Sequence, residues 1–328
     1  MGFFKGTWSY PAVDFKKGEQ EVERMVKRLS EANFNLIIPA VKDEAGIFVF
    51  RTDKGKRYPM VDEWDPLKVL VEKAHDYGLK VHTWLCVFRD GPQSLFLQKN
   101  PQLAAKDKDG NPVSGGWVCP AREEVQQHEL SLYIEVMEEY DIDGVHLDYI
   151  RYAGTNMCFC DHCVSTFMRE HGTDPRKLTS RDDAWEAWVE WRVSNITSFV
   201  EKLREEAKSR GREVSAAVFS AYPLCIETVG QDWVSWGKRH LVDYLFPMTY
   251  TQLVRFVDLA ARIHTHLVGD SCPVAEGIAP WLPLTTKKLV MEIEAALRAG
   301  AKGVVLYHYG SVTDEMLEAI KELDKNIS

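Results

Sequence analysis

Short apolar runs, each the length of one buried strand, alternate with segments of helical period along the whole chain, and this alternation is the strongest constraint on its fold. Val22, Met25, Val26 and Leu29 recur at i, i+3, i+4 and i+7, one face of an amphipathic helix ending near Asn33. The run Asn35–Val41 follows as a strand. Leu67–Tyr77 reads as a helix stopped by Gly78, and Lys80–Phe88 as the next strand. Leu130, Tyr133, Ile134 and Met137 mark a further helix face before the strand Gly144–Tyr149. A long helix, Ala184–Ser209, leads to Val214–Ser220. Strands at Val242–Tyr250 and Pro273–Ala279, the helix Thr286–Ala299 and the strand Gly303–Tyr309 complete the series. With Gly6–Tyr10 at the front there are about eight strand–helix units, the number a (β/α)8 TIM barrel requires. The expected architecture is therefore α/β, a single barrel domain over residues 1–328. A doubly wound open sheet is the alternative, weakened because no G-x-G-x-x-G turn follows a strand.

The longest inserts, Asp43–Trp64, Arg89–Pro120 and Ala153–Asp183, all follow strands. In a barrel they form long βα loops on the C-terminal face, where active sites are built. At 328 residues the chain suits one large barrel, and 45% hydrophobic with 27% charged residues suits a globular core. A net charge of −9 argues against nucleic-acid or anionic-membrane partners, which need a basic footprint. The first residues lack the pattern of a signal peptide, and no apolar run approaches a membrane span. Seven cysteines, an odd number, fit a reducing compartment better than a disulfide framework. These features give cytoplasmic as the expected location; oligomeric state is not set by the sequence.

Strand alternation selects candidate site residues. In Gly144–Tyr152 the outward set is Val145, Leu147 and Tyr149, which leaves His146, Asp148 and Ile150 facing inward. A carboxylate at the inward end of an apolar strand is costly to bury unless it is paired or wet, so Asp148 is a candidate for chemistry. Its bland alternative is a structural ion pair with Arg151. His82, Trp84 and Arg89 lie in or after another strand, and Tyr250, Glu276 and His308 mark three later strands. Trp8, Trp84, Trp117, Trp233 and Trp281 lie at or after strand ends, where flat rings suit stacking on sugars; each is equally ordinary packing material. Trp185, Trp188 and Trp191 sit on the long helix and read as core.

Cys158, Cys160 and Cys163 form a C-x-C-x-x-C cluster within the 153–183 insert. Zinc takes four soft ligands in a closed tetrahedron, and Cys119 or His162 is the candidate fourth. Reduced cysteines packing a loop are the alternative. Any zinc would be structural, and no organic cofactor is expected.

The run YDIDGVHLDYIRY, Tyr140–Tyr152, resembles the fourth-strand signature of glycosyl hydrolase-like family 10, a group of glycosidase-type barrels. KVHTWLCVFRD (Lys80–Asp90), WxxWR (Trp188–Arg192) and QDWVSW (Gln231–Trp236) match that family in order. So do DYLFPMTYT (Asp243–Thr251), EGIAPW (Glu276–Trp281) and GVVLYHYG (Gly303–Gly310). The resemblance implies a TIM barrel acting on glycosidic bonds of a carbohydrate substrate. His146 and Asp148 also resemble the nucleophile strand of the α-amylase clan, whereas Ile150 stands where a chitinase-type pattern needs an acid. The cysteine cluster is similar to the structural zinc site of family 42 β-galactosidases, although the Asn-Glu acid of that family is absent.

These readings give a glycoside hydrolase or transglycosidase with Asp148 as nucleophile and Glu276 as acid. Asp232 is an alternative acid and Glu227 a weaker one. Retention would place the two carboxyl groups about 5–5.5 Å apart. Trp8, His82, Trp84, Arg89, His146, Arg151, Tyr250, Trp281 and His308 are the expected substrate-binding set. A catalytically inactive carbohydrate-binding barrel is the alternative, with a lyase or isomerase ranked behind it.

Overall fold

A computed structural model describes residues 2–282 and 285–327, so the outermost bounds of the expected domain, residues 1 and 328, lie outside the described residues. The barrel wall consists of β1 (Phe4–Ser9), β2 (Leu36–Lys42), β5 (Lys80–Cys86), β6 (Gly144–Asp148), β7 (Glu213–Phe219), β8 (Tyr244–Met248), β9 (Ala275–Ile278) and β10 (Gly303–Leu306). These strands pair in parallel in that order, and the β1–β2 and β1–β10 ladders close the ring. The chain is a (β/α)8 barrel, as the alternation predicts. Two short strands, β3 (Ile47–Phe48) and β4 (Lys56–Arg57), extend the sheet from the loop after β2. Sequence periodicity misses them because two residues carry no period.

The wall separates two apolar layers. Outward residues such as Ile37, Val81, Val145, Leu147 and Ile278 pack under the helices in one large core. Inward residues form a smaller core of Trp8, Leu36, Ile38, Ala40, Trp84, Ala217, Phe246 and Val305 with their neighbours. Each strand alternates between the two, as a sheet period of two dictates. One interruption has consequences for the site. The β2–β5 register shifts between Ala40 and Lys42, a bulge that turns both Val41 and Lys42 toward the helix layer. The helix Val254–Val268, which follows β8, completes the alternation where the sequence reading names no helix. Among the described residues no helix is long and apolar enough to cross a membrane.

Candidate active site

On β6 the alternation runs as expected up to its last residue. Val145 and Leu147 enter the outer core, while a Cβ on Gly144 would meet His82 inside the barrel. His146 and Asp148 therefore face the axis. Beyond Asp148 the expected order is reversed. Tyr149 has φ +49°, which breaks the two-residue period and turns its ring over the barrel mouth, and Ile150 enters the outer core. Asp148 and Tyr149 thus line one cavity of about 130 Å³, together with Trp8, Trp84, Arg151 and Tyr307. Ala217, Met248 and Tyr250 complete its lining.

Asp148 is the one acid among those lining residues. Its Oδ1 accepts the backbone N–H of Tyr149 at 2.6 Å, and among the described residues it forms no ion pair. Burial raises its pKa to about 6, against the opposing charge of Arg151. Arg151 instead stacks over Trp117, Tyr149 and Phe219, 4.8–5.1 Å from each ring centre, and donates to the Tyr152 carbonyl at 3.1 Å. The structural ion pair between Asp148 and Arg151 is therefore not formed. Arg89 donates to the Tyr149 hydroxyl at 3.1 Å and so approaches the cavity from its rim. Tyr307 shares a 2.5 Å hydrogen bond with Tyr10, and the half-buried Tyr250 stacks on it with ring centres 5.4 Å apart.

His82 and His146 lie beneath this cavity. The indole N–H of Trp8 can only donate, so His146 Nε2, 3.0 Å away, accepts and its Nδ1 carries the proton. That nitrogen reaches the Ser215 hydroxyl at 2.9 Å, and Ser215 lies 2.9 Å from His82 Nδ1. His82 Nε2 ends the chain on Glu213 at 3.1 Å. Burial lowers the pKa of His146 well below its usual range, so the ring is neutral, as this direction of donation requires. Both histidines orient Trp8 from below rather than offering nitrogens to a sugar.

Glu276 is on the other side of the wall. Its strand neighbours Ala275 and Gly277 take the inward positions, and a Cβ on Gly277 would lie 3.4 Å from the Trp8 ring. Glu276 accepts the Thr249 hydroxyl at 2.6 Å and faces His264 Nδ1 at 2.7 Å, on the helix Val254–Val268. The expectation that Glu276 meets Asp148 is corrected by one residue of strand phase. Asp232 caps the helix Trp233–Lys238 and takes the Tyr222 hydroxyl at 3.1 Å, away from the cavity lining. Glu227 lies on the helix Leu224–Val229, where its carbonyl accepts Arg192. Trp233 is wholly buried and donates to the Phe219 carbonyl. Trp281 is half exposed at the rim, edge-on to Tyr250, and His308 packs edge-on against Tyr10 and Tyr307 behind the lining.

Glu44 is the carboxylate the sequence reading misses. It sits in the turn after β2, and its charge adds to the burial that raises Asp148, Tyr10 and Tyr307. The signal was available: Glu44 stands in the Asp43–Trp64 insert, just past the C-terminal end of a barrel strand.

The four thiols of Cys119, Cys158, Cys160 and Cys163 converge, all buried, with every sulfur within 4.8 Å of the others. The Cys119 and Cys163 sulfurs are 3.3 Å apart, and the Cys160 sulfur is 3.6 Å from each of these two. Zinc–sulfur bonds of ~2.3 Å imply tetrahedral edges of ~3.8 Å, so the set fits that ion. His162 turns away, its Nε2 lying 3.1 Å from the Ala121 carbonyl, so Cys119 is the fourth member. The positive charges of Arg122 and Arg192 lie close enough to interact with these sulfurs.

A (β/α)8 barrel with an aromatic cavity and a buried carboxylate at its C-terminal face is the architecture that many glycoside hydrolases share. The chain belongs to the glycosyl hydrolase-like 10 family, whose model matches residues 5–284. It is 24% identical over 215 residues to glycosyl hydrolase DigH of Escherichia coli, covering 57% of this chain and 46% of the relative. The chain thus spans about half the length of the curated relatives it matches. In structure it resembles the glycoside hydrolase domain of PgaB (BpsB) from Bordetella bronchiseptica, with a TM-score of 0.78 at 13% identity. That match covers 98% of this chain and 99% of the other. A β-galactosidase from Halorubrum lacusprofundi gives 0.74 at 13% identity over 98% of this chain and 57% of the other. At these identities the likeness is one of fold, and it gives no support to a shared family 42 cysteine cluster.

Proposed function

We propose that this chain cleaves or transfers a glycosidic bond in a carbohydrate, with Asp148 as the attacking or charge-stabilising carboxylate. The observation that carries this reading is the setting of Asp148: inward, buried, unpaired and exposed only to an aromatic cavity of about 130 Å³. Such a space fits one sugar ring between stacking faces, and a carboxylate there meets the anomeric carbon. Glu44 takes the role of proton donor in place of Glu276, because its charge acts on Asp148, Tyr10 and Tyr307, whereas Glu276 is engaged by His264 in the helix layer. Trp8, Trp84, Tyr250 and Tyr307 supply the ring faces and hydroxyls, and Arg89 and Arg151 moderate the charge on Asp148.

The direct test measures turnover on a panel of aryl glycosides and glycans for wild type, Asp148→Asn and Glu44→Gln. Loss of turnover in both, with sugar binding retained, supports the pair. A second reading rests on Asp148 being the sole acid in the cavity lining: a barrel that binds sugar without turnover. Glycan binding by wild type with no product on any substrate would establish that reading instead.

We also infer that Cys119, Cys158, Cys160 and Cys163 hold one zinc ion. Four thiolates around Zn2+ carry a net charge of −2, and Arg122 and Arg192 provide the compensation. Arg192 is wholly buried, donates only to carbonyls among the described residues, and is drawn to the sulfur charges. A closed four-sulfur site leaves no position for water, so its work is to fasten the 153–183 insert to the loop before the helix Glu123–Glu139.

A further inference from the structure

Three ionisable side chains lie buried together beneath the loops that flank the cavity, and none of them lines it. Lys42 Nζ is 2.7 Å from Asp90 Oδ1 and 2.7 Å from both oxygens of Glu129. Lys42 and Glu129 are fully enclosed and Asp90 almost so. The remaining Asp90 oxygen takes the Ser94 hydroxyl. Each residue comes from a different element: the end of β2, the loop after β5, and the helix Glu123–Glu139. The bulge in β2 is what turns Lys42 outward to reach the other two.

Directly above this triad two loops meet backbone to backbone. Asp43 folds the first into a tight turn, its Oδ1 accepting the N–H groups of Ala45 at 2.9 Å and Ile47 at 3.0 Å. Glu44 is within that turn. The Ala45 carbonyl accepts Gln93 N–H from the second loop at 2.9 Å. At the seam stand Gly46 and Gly91, with φ of +80° and +96°. A Cβ on Gly46 would lie 2.3 Å from the Asp90 carbonyl oxygen, and one on Gly91 2.1 Å from the Ala45 carbonyl carbon. Side chains are thus excluded from this contact, which is made by backbone, with Lys56 Nζ donating to Gln93 Oε1 at 2.6 Å as a further link between the loops. Lys42 and Asp90, one flanking each side of the seam, supply the attraction that joins them, and Glu129 completes it from the helix. Glu44 lies two residues beyond Lys42, and Arg89 immediately precedes Asp90.

We propose that Lys42, Asp90 and Glu129 are positioning residues, a buried ionic lock that fixes Glu44 and Arg89 against the Asp148 cavity. This role rests on the reading of Glu44 as proton donor, and the test separates the two. Lys42→Met removes the cation that joins the loops. Burial pushes the Glu129 carboxyl up to about 8, so at neutral pH it holds a proton and Glu129→Gln is its conservative replacement. Two readouts are taken. In hydrogen exchange, Lys42→Met should speed the amides of residues 43–47 and 90–96 at least ~10-fold and leave β6–β10 unchanged, with Glu129→Gln close to wild type. In kinetics, kcat/KM for aryl glycosides with poor leaving groups should fall ~100-fold, and for activated leaving groups less than ~3-fold, because only the former need a placed acid. Should Lys42→Met fail to fold, Gly91→Ala, whose Cβ would meet the Ala45 and Gly46 backbone rather than a triad residue, opens the same seam and must give the same pattern. Unchanged exchange in the two loops, or equal losses on both substrate types, would overturn the lock. If Glu44→Gln alone retains full activity, the assignment of Glu44 fails while the exchange result still decides whether the triad joins the loops.

Discussion

Asp148 and Glu276 are both buried carboxylates on barrel strands, and they face opposite sides of the wall. Both oxygens of Glu276 are engaged, by Thr249 and by His264, whose Nε2 must donate to the Ser220 carbonyl 2.7 Å away. With a proton on each nitrogen the ring is an imidazolium. Burial is the largest single influence and lowers its pKa, but the Glu276 hydrogen bond, the Glu276 charge and the Ser220 carbonyl together outweigh it and leave the pKa raised. Asp148 receives one backbone N–H and, among the described residues, no ion-pair partner. Burial alone therefore does not mark a reactive group; an unmatched charge does. Glu276 is satisfied and structural, whereas Asp148 keeps free lone pairs directed at a space sized for a ligand.

Exchanging each acid for its amide should break this symmetry in opposite ways. For Asp148→Asn we expect a loss of turnover of about 1,000-fold or more, the scale of losing a nucleophile or its charge. Activity regained with azide would identify Asp148 as the nucleophile, because the small anion fills the vacated position. For Glu276→Gln the expected loss is in stability, about 2–4 kcal/mol, since one side of a buried pair is left uncompensated. Denaturant titration measures it, and kcat of the folded fraction should stay within about threefold of wild type. A stable, inactive Glu276→Gln would return that residue to the chemistry.

Metal removal probes the insert next to the site. Elemental analysis of protein purified without chelator should find close to one zinc per chain, and Cys160→Ser should abolish it. Limited proteolysis within residues 153–183 should then precede unfolding of the barrel, because the four thiols lie outside the wall, Cys163 in the helix Asp161–His171 and the others in the loops around it. Metal-free protein with four freely titratable thiols and an equally protected insert would sink this expectation.

Much of the fold was legible because strand and helix periods survive in a barrel whose layers are both apolar. Expected strands such as Gly144–Tyr149 and Gly303–Tyr309 overshoot the observed ends, because side chains stay apolar past the last ladder bond. The site was legible where alternation holds and illegible where the backbone departs from it. Asp148 and His146 point inward as counted, but His82 and His146 are spent on each other through Ser215, a pairing no single strand discloses. Tyr149 and Ile150 exchange faces through one left-handed residue. Glu276 fails for a simpler reason: the strand end was legible and its phase was not. Gly277, not Glu276, takes the inward place. The four cysteines converge because C-x-C-x-x-C brings three thiols together by local geometry, leaving a single long-range partner to find.

The finest contrast between the acids lies in how each responds to pH. A carboxyl raised to about 6 from an ordinary value near 4 costs the fold stability once it ionises. That contribution is fully favourable below about pH 4 and is lost as pH rises through about 6. Asp148→Asn cannot ionise, so above pH 6 it should be more stable than wild type by on the order of 1–2 kcal/mol, and equal to it near pH 4. Thermal midpoints across this range measure the difference. His264 has the same sign at higher pH: its raised pKa gives stability present below about 6.5 and lost as pH climbs through the folded value. Glu276→Gln should remove that slope while leaving the one at pH 4–6 intact. The kinetic limb then assigns the role of Asp148. As nucleophile it must be ionised, so kcat/KM rises with pH up to a plateau above about 6. As general acid it must hold its proton, and kcat/KM would instead fall through the same pH.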